Sequence, residues 1–232
     1  MWSPLLAPGQ LILVSGTRPE TRSFMQELAH FAVHNREGCV LWCDGDHGFN
    51  PYDFSELNLE RGFDAEWGAE RVLVKRCMTP FQWDTVLTKH LEQKLLASTA
   101  ALVVASPYED LFSTEELKDW EREDYIHFSL CHLKGLAARF HVPVVLSVDM
   151  AKWCTTHPLL AWAAYEACAS RWSVRRVGDR WGAFELLADL LVTGAPVRQA
   201  SLTDYARSLR PNAPLPILTQ IRPDPPAARE RS

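Results

Sequence analysis

Short apolar runs recur along this chain, and stretches with helical periodicity separate them. The runs are residues 11–14, 39–43, 72–74, 101–105 and 144–148. Buried strands of a parallel sheet have such near-continuous apolar runs, because helices cover both faces of the sheet. The pattern therefore predicts an α/β fold with a mostly parallel sheet and helices on both faces.

The same periodicity predicts the helices and the end of the sheet. Apolar residues at helical spacing predict helices over residues 23–35, 81–96 and about 115–140. After residue 169, two β-like runs, 170–177 and 182–187, are joined by Gly178 and Asp179. A Gly-Asp turn between two such runs predicts a closing antiparallel hairpin.

Length and proline content predict one domain followed by a tail. The chain has 232 residues, 47% of them hydrophobic, which suits a single globular core. Residues 196–232 contain seven prolines, six arginines and three acidic residues. We therefore expect a core domain over residues 1–194 and a Pro/Arg-rich tail over 195–232 that is extended or partly disordered.

The charge, the cysteines and the lengths of the apolar stretches indicate the partners and the location to expect. A net charge of −5 argues against a large basic surface for nucleic acid and leaves a local basic edge open. The six cysteines form no CxxC pair, so reduced thiols and a cytoplasmic location are expected. No apolar stretch approaches the roughly 20 residues of a membrane span, and we expect no membrane partner.

The connection after the first apolar run, residues 16–23, reads GTRPETRS. It follows the phosphate-binding template GxxxxGK[ST], with Thr21 in place of Gly and Arg22 in place of Lys. In such a loop, backbone N–H groups cradle phosphates and the Ser or Thr hydroxyl ligates Mg²⁺. Gly16, Thr21, Arg22 and Ser23 are therefore the candidate nucleotide-binding residues. A simple strand-to-helix turn remains the alternative.

Further segments, in order and spacing, resemble the ATPase core of the RecA/RadA recombinase family over residues 9 to about 190. The segment CDGDHGFNP, residues 43–51, is similar to the family's IDTEGTFRP and places Asp46 at the catalytic glutamate. The segment ALVVAS, residues 101–106, is similar to the Walker B strand LIIVDS and places Ala105 at the metal-organising aspartate. The resemblance implies a RecA-like core whose Walker A and Walker B motifs are degenerate.

These departures imply a binding protein rather than an efficient enzyme, since phosphoryl transfer depends on electrostatic positioning by the altered residues. The resemblance implies an accessory or assembly factor in homologous recombination and DNA repair, in the cytoplasm or, in a eukaryote, the nucleus. Its partner would be a recombinase-family protein or another paralogue. One alternative is a slow ATPase that binds ATP and Mg²⁺ and uses Arg22 and Asp46, with the metal ion held by Ser23 and Asp44. The other is a RecA-like scaffold in a different complex.

Four arginines on the expected hairpin are the candidate DNA contacts: Arg171, Arg175, Arg176 and Arg180. Strand alternation puts Arg171 and Arg175 on one face and the other two on the opposite face, so two small patches are expected. We expect DNA binding to be weak, salt-sensitive or indirect. A solvated edge strand protected by charge is the alternative.

Overall fold

The structure is a computed structural model that describes residues 3–45, 47–106, 111–112, 117–177 and 180–185. For residues 3, 4, 177, 180 and 182–185 it describes the backbone alone. The predicted boundary at residue 194 and the predicted tail lie outside the described residues.

A single sheet runs through the described part of the chain. Its strands are β1 (Leu11–Ser15), β2 (Cys39–Asp44), β3 (Val72–Arg76), β4 (Ala100–Ser106), β5 (Val144–Val148), β6 (Ser170–Val177) and β7 (Arg180–Glu185). They lie in the order β3-β2-β4-β5-β1-β6-β7. The first six run parallel, and β7 pairs antiparallel with β6. The predicted α/β class and parallel sheet are confirmed.

Helices connect the strands. They are α1 (Arg18–Asn35), α2 (Pro51–Glu60), α3 (Ala65–Glu70), α4 (Pro80–Thr85), α5 (Glu92–Ala97), α6 (Asp119–Phe140), α7 (Met150–Thr156) and α8 (Pro158–Ala167). A π-helical segment, Val86–Leu91, joins α4 to α5. The predicted helix over 81–96 is therefore present, with a local change of hydrogen-bonding pattern at its centre.

Helices cover both faces of the sheet, as predicted. On one face, side chains of α1 and α2 such as Phe24, Leu28 and Phe54 pack on the strands in one buried cluster. On the other face, α4 to α8 contribute to a second cluster around Trp83 and Trp153. Because β1, β4 and β5 contribute to both clusters, their residues are almost all buried, which explains their continuous apolar sequences.

The prediction for the start of α1 is wrong. The helix begins at Arg18, so residues 18–23 are helical rather than part of a loop. Thr17 is the N-cap and Glu20 is the third helical residue, which together form a capping box, and Pro19 stands in the first turn where proline is tolerated. Thr17, Pro19 and Glu20 therefore favour a helix that starts at Arg18, where the phosphate-loop template requires residues of a loop.

None of the helices in the described ranges is long and apolar enough to cross a membrane.

Candidate functional site

The carboxyl ends of the parallel strands are where α/β sheets bind ligands, and the β1–α1 connection lies there. This connection contains only Gly16 and Thr17. A Cβ atom on Gly16 would lie 2.8 Å from the carbonyl oxygen of Val174 in β6. The absence of a side chain at Gly16 is therefore explained by the close approach of β6.

The N-terminus of α1 is capped by its own side chains. The backbone N–H and the hydroxyl of Thr17 both donate to Glu20 Oε2, over 3.2 Å and 2.6 Å. The N–H of Thr21 donates to the carbonyl oxygen of Thr17 at 2.9 Å, and Pro19 has no N–H. A carboxylate thus lies at the place where a phosphate-binding loop presents N–H groups to an anion.

The other predicted nucleotide-binding residues lie within α1. Thr21 is buried, and its hydroxyl donates to the carbonyl oxygens of Thr17 and Arg18. Arg22 is half-buried and Ser23 is exposed. Gly16, Thr21, Arg22 and Ser23 therefore do not form a phosphate-binding loop in this structure, because six residues of the expected loop, 18–23, are the first turns of a helix.

Asp44, the predicted metal-organising partner of Ser23, supports the loop after β2. Its Oδ1 accepts the N–H of Gly48 at 2.7 Å, and its Oδ2 accepts that of Phe49 at 3.4 Å. The Nε of Arg76 lies 3.7 Å from the same Oδ2. The Asp44 carboxylate is fully buried, and these partners satisfy its oxygens and its charge. Its role in this structure is therefore to stabilise the loop.

Two further residues, Ala105 and Asp46, were candidates through the family resemblance. Ala105, which the resemblance to the RecA/RadA family aligns with the Walker B aspartate, is fully buried and pairs with Cys43 and Leu146. The candidate catalytic residue Asp46 lies outside the described residues. In the described part of the chain, no group of three or more His, Cys, Asp or Glu side chains is arranged to hold a metal ion.

Sequence reasoning missed the role of Arg122, which lies in α6 beside this edge of the sheet. The guanidinium donates to the carbonyl oxygens of Phe112 and Leu117, over 2.5 Å and 3.1 Å, and to Asp119 Oδ1 at 2.6 Å. These bonds connect Phe112 and Leu117, which lie on either side of residues 113–116, to α6. The neighbouring His157 has its pKa lowered by burial and by the positive charge of Arg122.

The four arginines that are candidate DNA contacts differ in their contacts and exposure. The Arg171 guanidinium lies 4.4 Å from the ring centroid of Tyr165, and its Nε donates to the Tyr165 carbonyl oxygen. Arg175 and Arg176 are exposed on β6, and the Arg180 side chain lies outside the described residues. Arg171 is therefore bound to Tyr165, whereas Arg175 and Arg176 are the candidate DNA contacts whose side chains are described as exposed.

Strand β3 forms one edge of the sheet among the described strands. Beside it lies a groove of about 370 Å³ between β2 and β3 on one side and the π-helical segment and α5 on the other. Leu41, Leu73 and Leu91 line this groove, and Leu73 is exposed. An edge strand beside an apolar groove is a surface to which an extended segment can add as a further strand.

Comparison with known proteins adds no family assignment: the sequence matches no protein-family model, and no curated protein is significantly similar to it.

Proposed function

We propose that this chain is a RecA-fold recombinase paralogue that does not hydrolyse ATP efficiently and acts as an accessory or assembly factor in homologous recombination and DNA repair. The strand order and the antiparallel β7 are compatible with a RecA-like core and its closing hairpin. With it we propose a cytoplasmic location, or a nuclear one in a eukaryote.

The observation that carries the proposal is the capped connection between β1 and α1. Glu20 accepts both donors of Thr17, which places a negative charge at the helix end where a nucleotide phosphate would need positive potential. Ala105 supplies no carboxylate for a metal ion. A RecA-like chain with these two features is expected to bind other chains and to leave hydrolysis to a catalytic partner.

The edge groove beside β3 supports a partner of the same family. The polar backbone groups on the outer side of β3 have no strand partner among the described residues. An extended segment of a recombinase-family chain would pair with them and insert an apolar side chain beside Leu41 and Leu73. DNA contact in this proposal is weak or passes through that partner.

The test is co-purification with the catalytic recombinase of the same organism, together with a strand-exchange assay. Leu73→Glu should abolish the interaction, because it places a charge in the groove and leaves the fold intact at an exposed position. Leu59→Glu, at an exposed position of α2, is the matched control and should bind as the natural chain does. No interaction with recombinase-family chains, combined with no effect on strand exchange, would refute the proposal.

A further inference from the structure

An exposed groove with aromatic walls and acidic side chains lies between α4 and the first half of α6. Its volume is about 360 Å³, and its lining residues are Asp84, Trp120, Glu121, Asp124, Tyr125 and Phe128. Phe81 packs against Tyr125 edge to face, with ring centroids 5.7 Å apart. The groove is therefore built from two helices whose relative position an aromatic contact maintains.

The aromatic rings of this groove are unusually exposed. Trp120 is 61% exposed and Phe128 is 46% exposed, and Phe81, which packs on Tyr125 beside the groove, is 52% exposed. Trp120, Asp124 and Phe128 recur at intervals of four residues, so they form one stripe along the outer side of α6. Several large exposed rings on one surface indicate a binding site, because each leaves apolar area in contact with water.

The charges of the groove have one sign. Asp84, Glu121 and Asp124 contribute three carboxylates, and no Lys or Arg is among the lining residues. Glu121 Oε2 accepts the backbone N–H of Lys118 at 3.0 Å. The carboxylates of Asp84 and Asp124 have no hydrogen-bond or ion-pair partner among the described residues.

We propose that this groove binds an arginine side chain carried by an extended segment of a partner protein. A guanidinium stacks on an aromatic face and donates to carboxylates at the same time, so rings and acids together favour it over an apolar or anionic group. Trp120 provides the exposed ring, and Asp84 and Asp124 face the cation from the two helices. This inference does not depend on the proposed role in recombination.

The test uses the full chain labelled with 5-fluorotryptophan and the peptide acetyl-Gly-Arg-Gly-Arg-Gly-amide, observed by ¹⁹F NMR. Trp120→Phe identifies the Trp120 resonance by its disappearance. Titration with the peptide should shift that resonance, and the same peptide with citrulline in place of arginine should not, because citrulline has the shape of arginine without its charge.

Two variants locate the charges that matter. Asp84→Asn combined with Asp124→Asn should weaken the apparent affinity about tenfold, since each exposed ion pair contributes at most about fivefold. Glu123→Gln, which removes an exposed charge of α6 that does not line the groove, should change it less than about twofold.

Three results would overturn the proposal: equal binding of the citrulline peptide, equal weakening by Glu123→Gln, or a Trp120 resonance that does not move at millimolar peptide. The last result includes the cases in which a second copy or another segment of this chain already fills the groove.

Discussion

Glu20 caps the N-terminus of its own helix, α1: one of its carboxylate oxygens accepts both the backbone N–H and the hydroxyl of Thr17. This contact favours a helix start, and not a phosphate-binding loop, in the segment GTRPETRS. In a phosphate-binding loop the N–H groups before the helix point to an anion from solution. Here the anion is a side chain of the protein, and the helix begins at Arg18 as a consequence.

Glu20→Ala should therefore destabilise the protein rather than open a nucleotide site. Loss of a capping box costs about 1 kcal/mol of unfolding free energy, which urea denaturation measures. Glu37→Ala, at an exposed position beyond the end of α1, is the control and should cost less than about 0.5 kcal/mol. Mg-ATP at millimolar concentration should leave the melting temperature of both variants and of the natural chain unchanged. A rise that depends on ATP concentration would contradict this account of the loop.

Arg122 should be far more important for stability than its acidic partner. Arg122→Met leaves the carbonyl oxygens of Phe112 and Leu117 without their buried donor, so we expect a loss on the order of 3 kcal/mol in urea denaturation. Asp119→Asn should cost less than about 1 kcal/mol, because the Asp119 side chain is 94% exposed. Equal losses for the two variants would mean that the ion pair, and not the carbonyl contacts, provides the stabilisation.

Much of the fold could be predicted from the sequence, because β1 to β5 are apolar runs with turn residues at their ends. The start of α1 was also predictable: Thr17 and Glu20 form a T-x-x-E capping pattern, with Pro19 in the first turn. The phosphate-loop template covers the same residues and led to the wrong boundary. Likewise, Asn50 and Pro51 are the N-cap and first residue of α2, although they look like loop residues.

The partners of individual side chains could not be predicted. Asn58 Oδ1 lies 3.0 Å from His30 Nδ1 and 2.7 Å from His34 Nε2, a contact that depends on how α2 packs on α1. The spacing of the two histidines shows only that they share a helix face. The exposed stripe of Trp120, Asp124 and Phe128 is visible in the sequence, but Asp84 joins it only through the packing of α4 on α6.

The six cysteines should differ sharply in reactivity. All six are free thiols, and Cys131 is the exposed one. Burial raises the pKa of Cys77 to about 12, of Cys154 to about 11 and of Cys168 to about 12, and it also raises that of Cys43. Since the thiolate is the reactive form, these four should react with Ellman's reagent near pH 8 about a hundredfold more slowly than Cys131.

The measurement is the time course of thiol release with and without denaturant. Cys131→Ser should remove the fast phase, and denaturant should make the four buried thiols react together. A fast phase that persists when Cys131 and the half-buried Cys39 are both replaced by serine would show that a buried thiol becomes accessible in the native state.

Stability should fall as the solution becomes acidic, and His30 should contribute to the fall. Burial lowers the pKa of His30 below its usual 6.5, and the nearby charge of His34 adds to this effect. Below pH 6.5 the unfolded chain therefore binds more protons at this residue than the native protein, so protonation favours unfolding. The loss begins at the unfolded pKa and continues as the pH falls to the lower native value.

The variant His30→Gln removes the titrating group and retains a donor for Asn58. Its melting temperature should fall less between about pH 7.5 and about pH 5.5 than that of the natural chain, although it will be lower at the higher pH. His127→Gln, at an exposed position of α6, should show the unchanged pH dependence. If both variants have the same slope as the natural chain, His30 does not titrate differently in the native state.

DNA binding, if the proposed function is correct, should depend on Arg175 and Arg176. Arg171 is held by Tyr165, so about two arginines of β6 can reach phosphates. For duplex DNA the logarithm of the binding constant should then fall against the logarithm of the salt concentration with a slope of about −2. Affinity at physiological salt should be micromolar or weaker, and tight binding would require a partner.

The variant that combines Arg175→Glu with Arg176→Glu should remove this binding in a filter-binding titration at about 50 mM salt. Lys152→Ala should change it little, because Lys152 is the single Lys or Arg of residues 148–157 and the Asp149 carboxylate in the same segment opposes its charge. Arg171→Gln should lower the melting temperature, through loss of the Tyr165 contacts, and leave the salt slope unchanged. Stronger loss of binding with Lys152→Ala than with the double variant would place the DNA contact at α7 and contradict the assignment to β6.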